Sequence, residues 1–182
     1  AQGDPLAELI QYGKEFNVEI VPWFEWGNIV PEKSALWQRN KTLGWEGFSE
    51  NFHTVPAIRI NPYKGKFEDF MAALLKEVVV RYGSKEIHIC DNFAPHLQQG
   101  EAARALRGPQ TFTAFMDRVT TPAIQAGARF SLSSQRHLNS LNEFSIDWSL
   151  WIKKGIVRWV YPQLYHVLES KTDQFNSEAR AE

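Results

Sequence analysis

The sequence predicts an α/β fold in which helices pack on a parallel sheet. Segments with helical periodicity alternate along the chain with short runs of β-branched and aromatic residues, and this alternation is typical of strands joined by crossover helices. The chain has 182 residues, of which 43% are hydrophobic and 23% are charged, so it is long enough for one domain with a hydrophobic core. We therefore expect a single domain over residues 1–182.

Five segments are predicted to be helices because their apolar residues recur on one face. Asp4 and Pro5 supply an N-cap and a first helical residue. Gly83 and Gly155 are placed to end two of the helices, and Pro122 is expected to bend another. In chain order, the predicted helices cover residues 4–16, 67–82, 110–126, 143–154 and 171–182.

Four runs rich in β-branched and aromatic residues are predicted to be strands. In chain order they cover residues 18–26, 87–90, 129–133 and 157–165. Residues 27–58 are predicted to be a long irregular stretch, followed by a short extended element over 58–62, and 94–108 to be a second loop. A small open sheet and an interior segment of a closed barrel both fit this order, because a closed eight-stranded barrel takes about 250 residues.

Composition and motif spacing argue against several classes of function. The formal net charge is −1, which gives no electrostatic support for binding nucleic acid, and no apolar run approaches the ~20 residues of a membrane span. Cys90 is the single cysteine, so we expect a buried structural thiol and no internal disulfide. His88 lies inside a predicted strand, which favours a core histidine. We predict no metal and no cofactor, since neither a metal-ligand spacing nor a glycine-rich phosphate loop is present.

Two acids follow predicted strands, at the ends where ligands bind in parallel α/β proteins. Glu25 lies between Trp23 and Trp26, and Asp91 precedes Asn92. Glycoside cleavage needs one carboxylic acid and one carboxylate, so Glu25 and Asp91 are the predicted catalytic pair. Apolar surroundings favour Glu25 as the proton donor, and Asp91 is expected to stay ionised. The alternatives are a salt-bridged Glu25 and an Asp91 that caps a turn.

Aromatic residues make up 13% of the chain, and many lie near predicted strand ends. Aromatic side chains at a binding rim suit the apolar faces of sugar rings, and the alternative is core packing. On the last strand, alternate residues share one face; they either line the rim or form an ordinary amphipathic strand. The predicted substrate-binding residues at this rim are Trp23, Trp26, Asn92, Tyr161, Gln163 and Tyr165.

Short motifs at the strand ends, and one in a helix, occur in a fixed order. They are Val21–Gly27, Ile60–Tyr63, Ile87–Phe93, Leu132–Ser134, Asp147–Gly155 and Tyr161–Tyr165. Together they resemble the glycosyl-hydrolase-like family 10 over nearly the whole chain. The resemblance implies a (β/α)8 TIM barrel of which this chain is an interior segment, with about four consecutive β/α units at the third to sixth strands. The open sheet edges of such a segment lead us to expect aggregation or self-association.

The resemblance also implies a function. Members of that family are envelope or secreted proteins, and those with known activity cleave glycan strands such as peptidoglycan. It adds Asn61 and Arg59 as candidate binding residues. The family carries two adjacent acids at the end of the fourth strand; Asp91 matches the second, and Cys90 stands in place of the first. Two hypotheses follow: a glycan hydrolase that uses Glu25 and Asp91, or a catalytically impaired glycan-binding or structural relative.

Overall fold

The computed structural model describes residues 3–52, 54–94 and 108–163, which form a mixed α/β fold with two sheets. The helices are α1 (Pro5–Glu15), α2 (Ala35–Lys41), α3 (Phe67–Tyr82), α4 (Pro109–Gln125), α5 (His137–Phe144) and α6 (Trp148–Lys154). The strands are β1 (Trp23–Phe24), β2 (Ile29–Pro31), β3 (Gly47–Phe52), β4 (Val55–Ile60), β5 (Glu86–Cys90), β6 (Arg129–Ser134) and β7 (Trp159–Pro162). In the described ranges, no helix combines the length and the apolar character that crossing a membrane requires.

Four strands form a parallel sheet in the order β1-β5-β6-β7. In its register, Trp23 pairs with His88, His88 with Ser131, and Ser133 with Tyr161. Paired residues in a parallel ladder point to the same face of the sheet, so these five side chains share one face. The expected α/β class with a parallel sheet is thereby confirmed.

Two predicted elements differ from those observed. Of the strand predicted over 18–26, only β1 pairs with a neighbouring strand. The carbonyl of Pro22, the residue before β1, accepts a hydrogen bond from His88 N (2.9 Å), but proline has no N–H with which to continue the ladder. The helix predicted over 143–154 is divided into the end of α5 and all of α6, because Ser145 adopts a left-handed backbone conformation (φ 59°). Asp147 then caps α6 by accepting a hydrogen bond from Leu150 N. The helix predicted over 171–182 lies outside the described residues.

Residues 27–58 were expected to be irregular, and this expectation is wrong. They contribute β2, β3 and most of β4 to a second, antiparallel sheet in the order β2-β4-β3. The hairpin between β3 and β4 closes at the pair Phe52 and Val55, and Ser34 caps α2 by accepting a hydrogen bond from Trp37 N. β2 escaped prediction because it has only three residues and ends at Pro31, and β4 because Pro56 lies inside it. β3 contains no β-branched residue, so its composition does not indicate a strand.

The hydrophobic core contains one face of the parallel sheet together with α3, α4 and α6. Trp151 of α6 is fully buried there, and its Nε1 donates a hydrogen bond to Thr113 Oγ1 of α4 (2.8 Å), which is 3% exposed. The core residues with 2% exposure or less include Met71, Leu75, Ile87, Ile89, Phe112, Phe115, Met116, Phe130 and Leu132. The helices therefore cover the face opposite the one that carries His88.

The bond between Trp151 and Thr113 gives the first prediction. Thr113→Val keeps the volume of the side chain but removes the acceptor, which leaves a buried N–H without a partner. We expect the free energy of unfolding, measured in urea, to fall by about 1–3 kcal/mol. Thr111→Val, at an exposed position of the same helix, is the matched control and should change it by less than about 0.5 kcal/mol. Equal stability of the two variants would contradict this account.

Candidate functional site

The ends of two adjacent strands bring Glu25 and Asp91 together. The register pairs Phe24 of β1 with Ile89 of β5, so both acids lie just beyond the same edge of the parallel sheet. Asp91 begins a 3₁₀ turn over Asp91–Phe93, and its carbonyl accepts a hydrogen bond from Ala94 N (2.8 Å). The carbonyl of Asp91 thus closes the turn, and backbone N–H groups of Asp91 and Asn92 donate to its carboxyl group.

Asp91 is half-buried, and its electrostatic surroundings are unusual. Burial raises the pKa of its carboxyl group, and the negative charge of Glu25 raises this pKa further. The guanidinium of Arg59 opposes the shift. The sequence predicts a carboxylate near solvent at this position, whereas the structure half-buries Asp91 and raises the pKa of its carboxyl group. The effect of the Glu25 charge on Asp91 also shows that the two acids are close.

Glu25 is held through its backbone. Its carbonyl oxygen accepts hydrogen bonds from Asn92 Nδ2 (3.1 Å) and from the thiol of Cys90 (2.8 Å). The side-chain atom Oε2 is buried and has no hydrogen-bond partner among the described residues. A buried carboxylate oxygen without a partner is costly, so this atom is an acceptor that the described residues leave unsatisfied at the end of β1.

A close backbone contact fixes the segment that follows β1. Gly27 adopts a left-handed conformation (φ 55°), and a Cβ atom there would lie 2.6 Å from Phe93 N and 2.8 Å from the carbonyl carbon of Asn92. Real Cβ contacts are not that short, so only glycine lets the two segments approach this closely. The separation of Glu25 from Asp91 therefore depends on backbone packing.

Cys90 is 2% exposed and lies between the two acids. Burial raises the pKa of its thiol to about 12, and the charges of Glu25 and Asp91 contribute to the shift. The thiol is therefore neutral at physiological pH and donates its hydrogen to the Glu25 carbonyl. This confirms the prediction of a buried structural thiol.

Arg59, on β4 of the antiparallel sheet, reaches across to the turn that carries Asp91. It is 5% exposed and forms a two-pronged ion pair with Glu50, at 2.8 Å and 2.9 Å. Its Nη1 donates to the carbonyl oxygens of Asn92 (3.1 Å) and Ala94 (2.9 Å), and to Asn28 Oδ1 (3.3 Å). Arg59 was expected as a binding residue from the family resemblance, and these contacts make it the group that positions the turn.

Three rings form a row across the parallel sheet. The His88 ring lies 5.7 Å from the Trp23 ring on one side and 5.7 Å from the Tyr161 ring on the other. Trp23 is 57% exposed and Tyr161 is 55% exposed. Trp26 packs instead against Phe52 of the second sheet, with ring centroids 4.6 Å apart. The structure thus brings Trp23 and Tyr161 to one exposed surface and places Trp26 beside it.

The other predicted binding residues differ in their settings. Asn92 lies in the turn with Asp91, and half-buried Gln163 follows β7 and donates its N–H to Ser134 O (2.7 Å). Asn61 is 5% exposed, and its Oδ1 accepts a hydrogen bond from Tyr63 N (3.0 Å), so it stabilises the turn after β4. Tyr165 lies outside the described residues.

Sequence reasoning did not identify a polar array on the same face as His88. Both ring nitrogens of His88 lie within hydrogen-bond distance of serine hydroxyls, Ser131 at 2.8 Å and Ser133 at 2.6 Å. His88 is therefore satisfied, as predicted, although it is only half-buried. The alternation of polar residues along β5 and β6 was the available signal. Across the described ranges, no group of three or more His, Cys, Asp or Glu residues could hold a metal ion.

The chain is similar to one protein family and to solved structures of low sequence identity. A family model described as Glycosyl hydrolase-like 10 matches residues 1–107. A cycloisomaltooligosaccharide glucanotransferase from Paenibacillus sp., complexed with cycloisomaltoheptaose, is similar in structure with a TM-score of 0.56 and 14% identity, over 96% of this chain and 26% of its own. A glycoside hydrolase family 20 β-N-acetylglucosaminidase gives a TM-score of 0.49 and 10% identity, over 86% of this chain and 37% of its own. A search of curated proteins finds no match.

These comparisons differ in what they establish. The family model covers more than half of the chain, whereas the likeness to the glucanotransferase shows a shared fold. The chain spans about a quarter of the glucanotransferase, 26% of its length.

The contacts of Arg59 give the second prediction. Arg59→Met leaves Glu50 buried without its partner and leaves the Asn92 and Ala94 carbonyls without a donor. We expect a loss of about 3–5 kcal/mol in the free energy of unfolding, measured by urea denaturation. Arg81→Met is the matched control and should have a much smaller effect, because the Arg81 and Glu77 side chains are 57% and 55% exposed.

A double variant tests the cause of this loss. Arg59→Met combined with Glu50→Met removes the orphaned charge, so it should recover part of the lost stability. Recovery should be incomplete, because the two carbonyls still lack a donor. A double variant no more stable than Arg59→Met would show that the ion pair is not the source of the loss.

Proposed function

The chain belongs to the glycosyl hydrolase-like 10 family, and we propose that this glycoside-hydrolase-like domain acts on envelope or extracellular glycans, such as peptidoglycan, by carboxylate catalysis. One observation carries the proposal: Glu25 and Asp91 lie beyond adjacent ends of parallel strands, close enough for the charge of one to raise the pKa of the other. Two neighbouring carboxyl groups are what glycoside cleavage requires.

The same proposal extends to the architecture and the location of the protein. Parallel strands that neighbour one another in chain order are the arrangement found in a (β/α)8 barrel. We propose that the sheet is part of such a barrel, with further strands beyond β1 and β7. A protein that acts on envelope glycans would be secreted or would lie in the envelope.

The two acids would have different roles. Because burial and the charge of Glu25 raise its pKa, Asp91 holds a proton to higher pH than an ordinary aspartate and suits the role of general acid. Glu25 then supplies the carboxylate that attacks the sugar or activates water, and its Oε2 has no hydrogen-bond partner among the described residues. This reverses the assignment expected from the sequence, in which Glu25 was the donor.

The exposed rings supply a surface for the sugar. Trp23 and Tyr161 present aromatic area on the face of the sheet that the helices leave open. Aromatic rings pack against the apolar faces of sugar rings, and neighbouring polar groups can bind the hydroxyls. Asn92 and Gln163 are the polar candidates at the same strand ends.

A second candidate function rests on Cys90. This residue stands where the family resemblance places an acid, and its thiol is neutral and already bonded to the Glu25 carbonyl. If the family acid at this position is essential, the domain binds glycans without cleaving them. The aromatic surface would serve that function equally well.

The third prediction separates these two functions by a glycan-cleavage assay. Glu25→Gln and Asp91→Asn should each lower turnover by about 10²–10⁴-fold and leave substrate binding nearly unchanged, because both groups act mainly in the transition state. Glu77→Gln, at an exposed position on α3, is the matched control. Since protonated Asp91 is the active form, turnover should fall as pH rises through its raised pKa, and Asp91→Asn should lack this limb.

Other outcomes of the assay decide against the proposal. Full turnover in both acid variants would remove Glu25 and Asp91 from the mechanism. An inactive parent that gains activity with Cys90→Asp would establish the impaired, glycan-binding relative.

The fourth prediction concerns glycan binding. Soluble peptidoglycan fragments should quench tryptophan fluorescence in a saturable way. Trp23→Ala and Tyr161→Ala should each weaken binding by about 2- to 10-fold, as expected for the loss of one stacking contact of roughly 0.5–1.5 kcal/mol. Phe16→Ala removes an aromatic ring that is 74% exposed at the C-terminal end of α1 and serves as the control. Unchanged binding in both ring variants would place the glycan elsewhere.

A further inference from the structure

Four side chains on β5 and β6 form a continuous line of hydrogen bonds. Ser133 Oγ lies 2.6 Å from His88 Nε2, and His88 Nδ1 lies 2.8 Å from Ser131 Oγ. Ser131 Oγ in turn donates to Glu86 Oε1 at 2.6 Å. The line therefore runs from a serine through a histidine and a second serine to a carboxylate.

The donors in this line can be assigned from chemistry alone. The Glu86 carboxylate can only accept, so it takes the single hydroxyl proton of Ser131. Ser131 Oγ is then an acceptor toward His88, and His88 Nδ1 must carry the proton between them. In the neutral imidazole, Nε2 is left bare and accepts the hydroxyl proton of Ser133.

The surroundings of His88 keep its ring neutral and in place. Burial lowers the pKa of His88, and the charge of Glu86 only partly opposes this shift. The rings of Trp23 and Tyr161 stand on either side of it, 5.7 Å away. Ser133 is half-buried on the face that the helices leave open, so a small molecule lying against these rings would be near its hydroxyl.

We propose that Ser133 is a nucleophile activated by His88, with Ser131 and Glu86 as positioning residues, and that it acts on esters. Serine becomes reactive toward acyl groups when a neutral imidazole can accept its proton. The other nitrogen of that imidazole is held in place by hydrogen bonds that end at a carboxylate. This activity is separate from glycoside cleavage by Glu25 and Asp91, so either can fail without the other. Ser131 and Ser133 also lie outside the residues 1–107 that the family model matches.

The reaction needs no co-reactant except water. Ser133 Oγ bonds to the ester carbonyl carbon as its proton passes to His88 Nε2. The bond from that carbon to the alcohol oxygen then breaks, and the alcohol leaves with the proton from Nε2. Water adds to the acyl group on Ser133, again giving a proton to His88, which returns it to Ser133 as the carboxylic acid departs.

A fluorophosphonate probe, which serine attacks with loss of fluoride, tests the proposal on the intact chain. Peptide mass spectrometry should locate the adduct at Ser133, and p-nitrophenyl acetate should be hydrolysed in parallel. His88→Asn should slow the labelling by about 10²-fold or more, the range of general base catalysis. Ser133→Ala should abolish it, and Ser49→Ala, which removes an exposed strand serine, should leave it unchanged.

Two results would overturn the proposal. The first is a failure of the labelling test in protein that circular dichroism shows to be folded. Either the probe leaves Ser133 of the wild type unmodified, or it labels Ser133 as fast in His88→Asn as in the wild type. The second comes from long-range proton–nitrogen NMR of the wild type, which needs no variant. We expect a proton on Nδ1 and a bare Nε2, and a His88 ring protonated on Nε2 alone could not activate Ser133.

Discussion

The arrangement of the site depends on one buried cation. Arg59 is almost fully enclosed, and removing a guanidinium from water is costly unless every donor finds an acceptor. Glu50 and Asn28 satisfy it from the second sheet, and the carbonyls of Asn92 and Ala94 satisfy it from the end of β5. The two sheets are thereby joined at the turn that carries Asp91. If this turn moved outward, the buried guanidinium would keep its ion pair with Glu50 but would lose the two carbonyl acceptors of Asn92 and Ala94.

Much of the scaffold follows from local sequence patterns. The helix over 67–82 was predicted with the bounds of α3, and the strands over 87–90 and 129–133 differ from β5 and β6 by one residue each, because long apolar periodicity and terminal glycines are strong signals. The second sheet was missed because β2 has three residues, β3 has no β-branched residue and β4 contains Pro56. In addition, β2 pairs with β4 between residues that are distant in the chain, such as Ile29 and Arg59. Pairing of that kind leaves little trace in any single window of sequence.

The candidate site was predictable in position but less so in chemistry. Parallel strands end at a common edge, so the closeness of Glu25 and Asp91 could be expected from where two strands stop. The pKa of Asp91 could not, because it depends on burial by residues far away in the chain. Alternating polar residues on β5 and β6 indicated a polar face, but which of them bond in the line from Ser133 to Glu86 is decided by the register between the two strands.

The order of strands in the parallel sheet has a consequence for biosynthesis. Because β1, β5, β6 and β7 are neighbours in the order in which they are translated, each can add to an edge that already exists when it leaves the ribosome. No strand of this sheet has to wait for a later one to be inserted beside it. The sheet can therefore grow in one direction during synthesis, and the newest strand alone presents a fresh edge to the cell, which limits the surface open to wrong pairing before the next strand arrives.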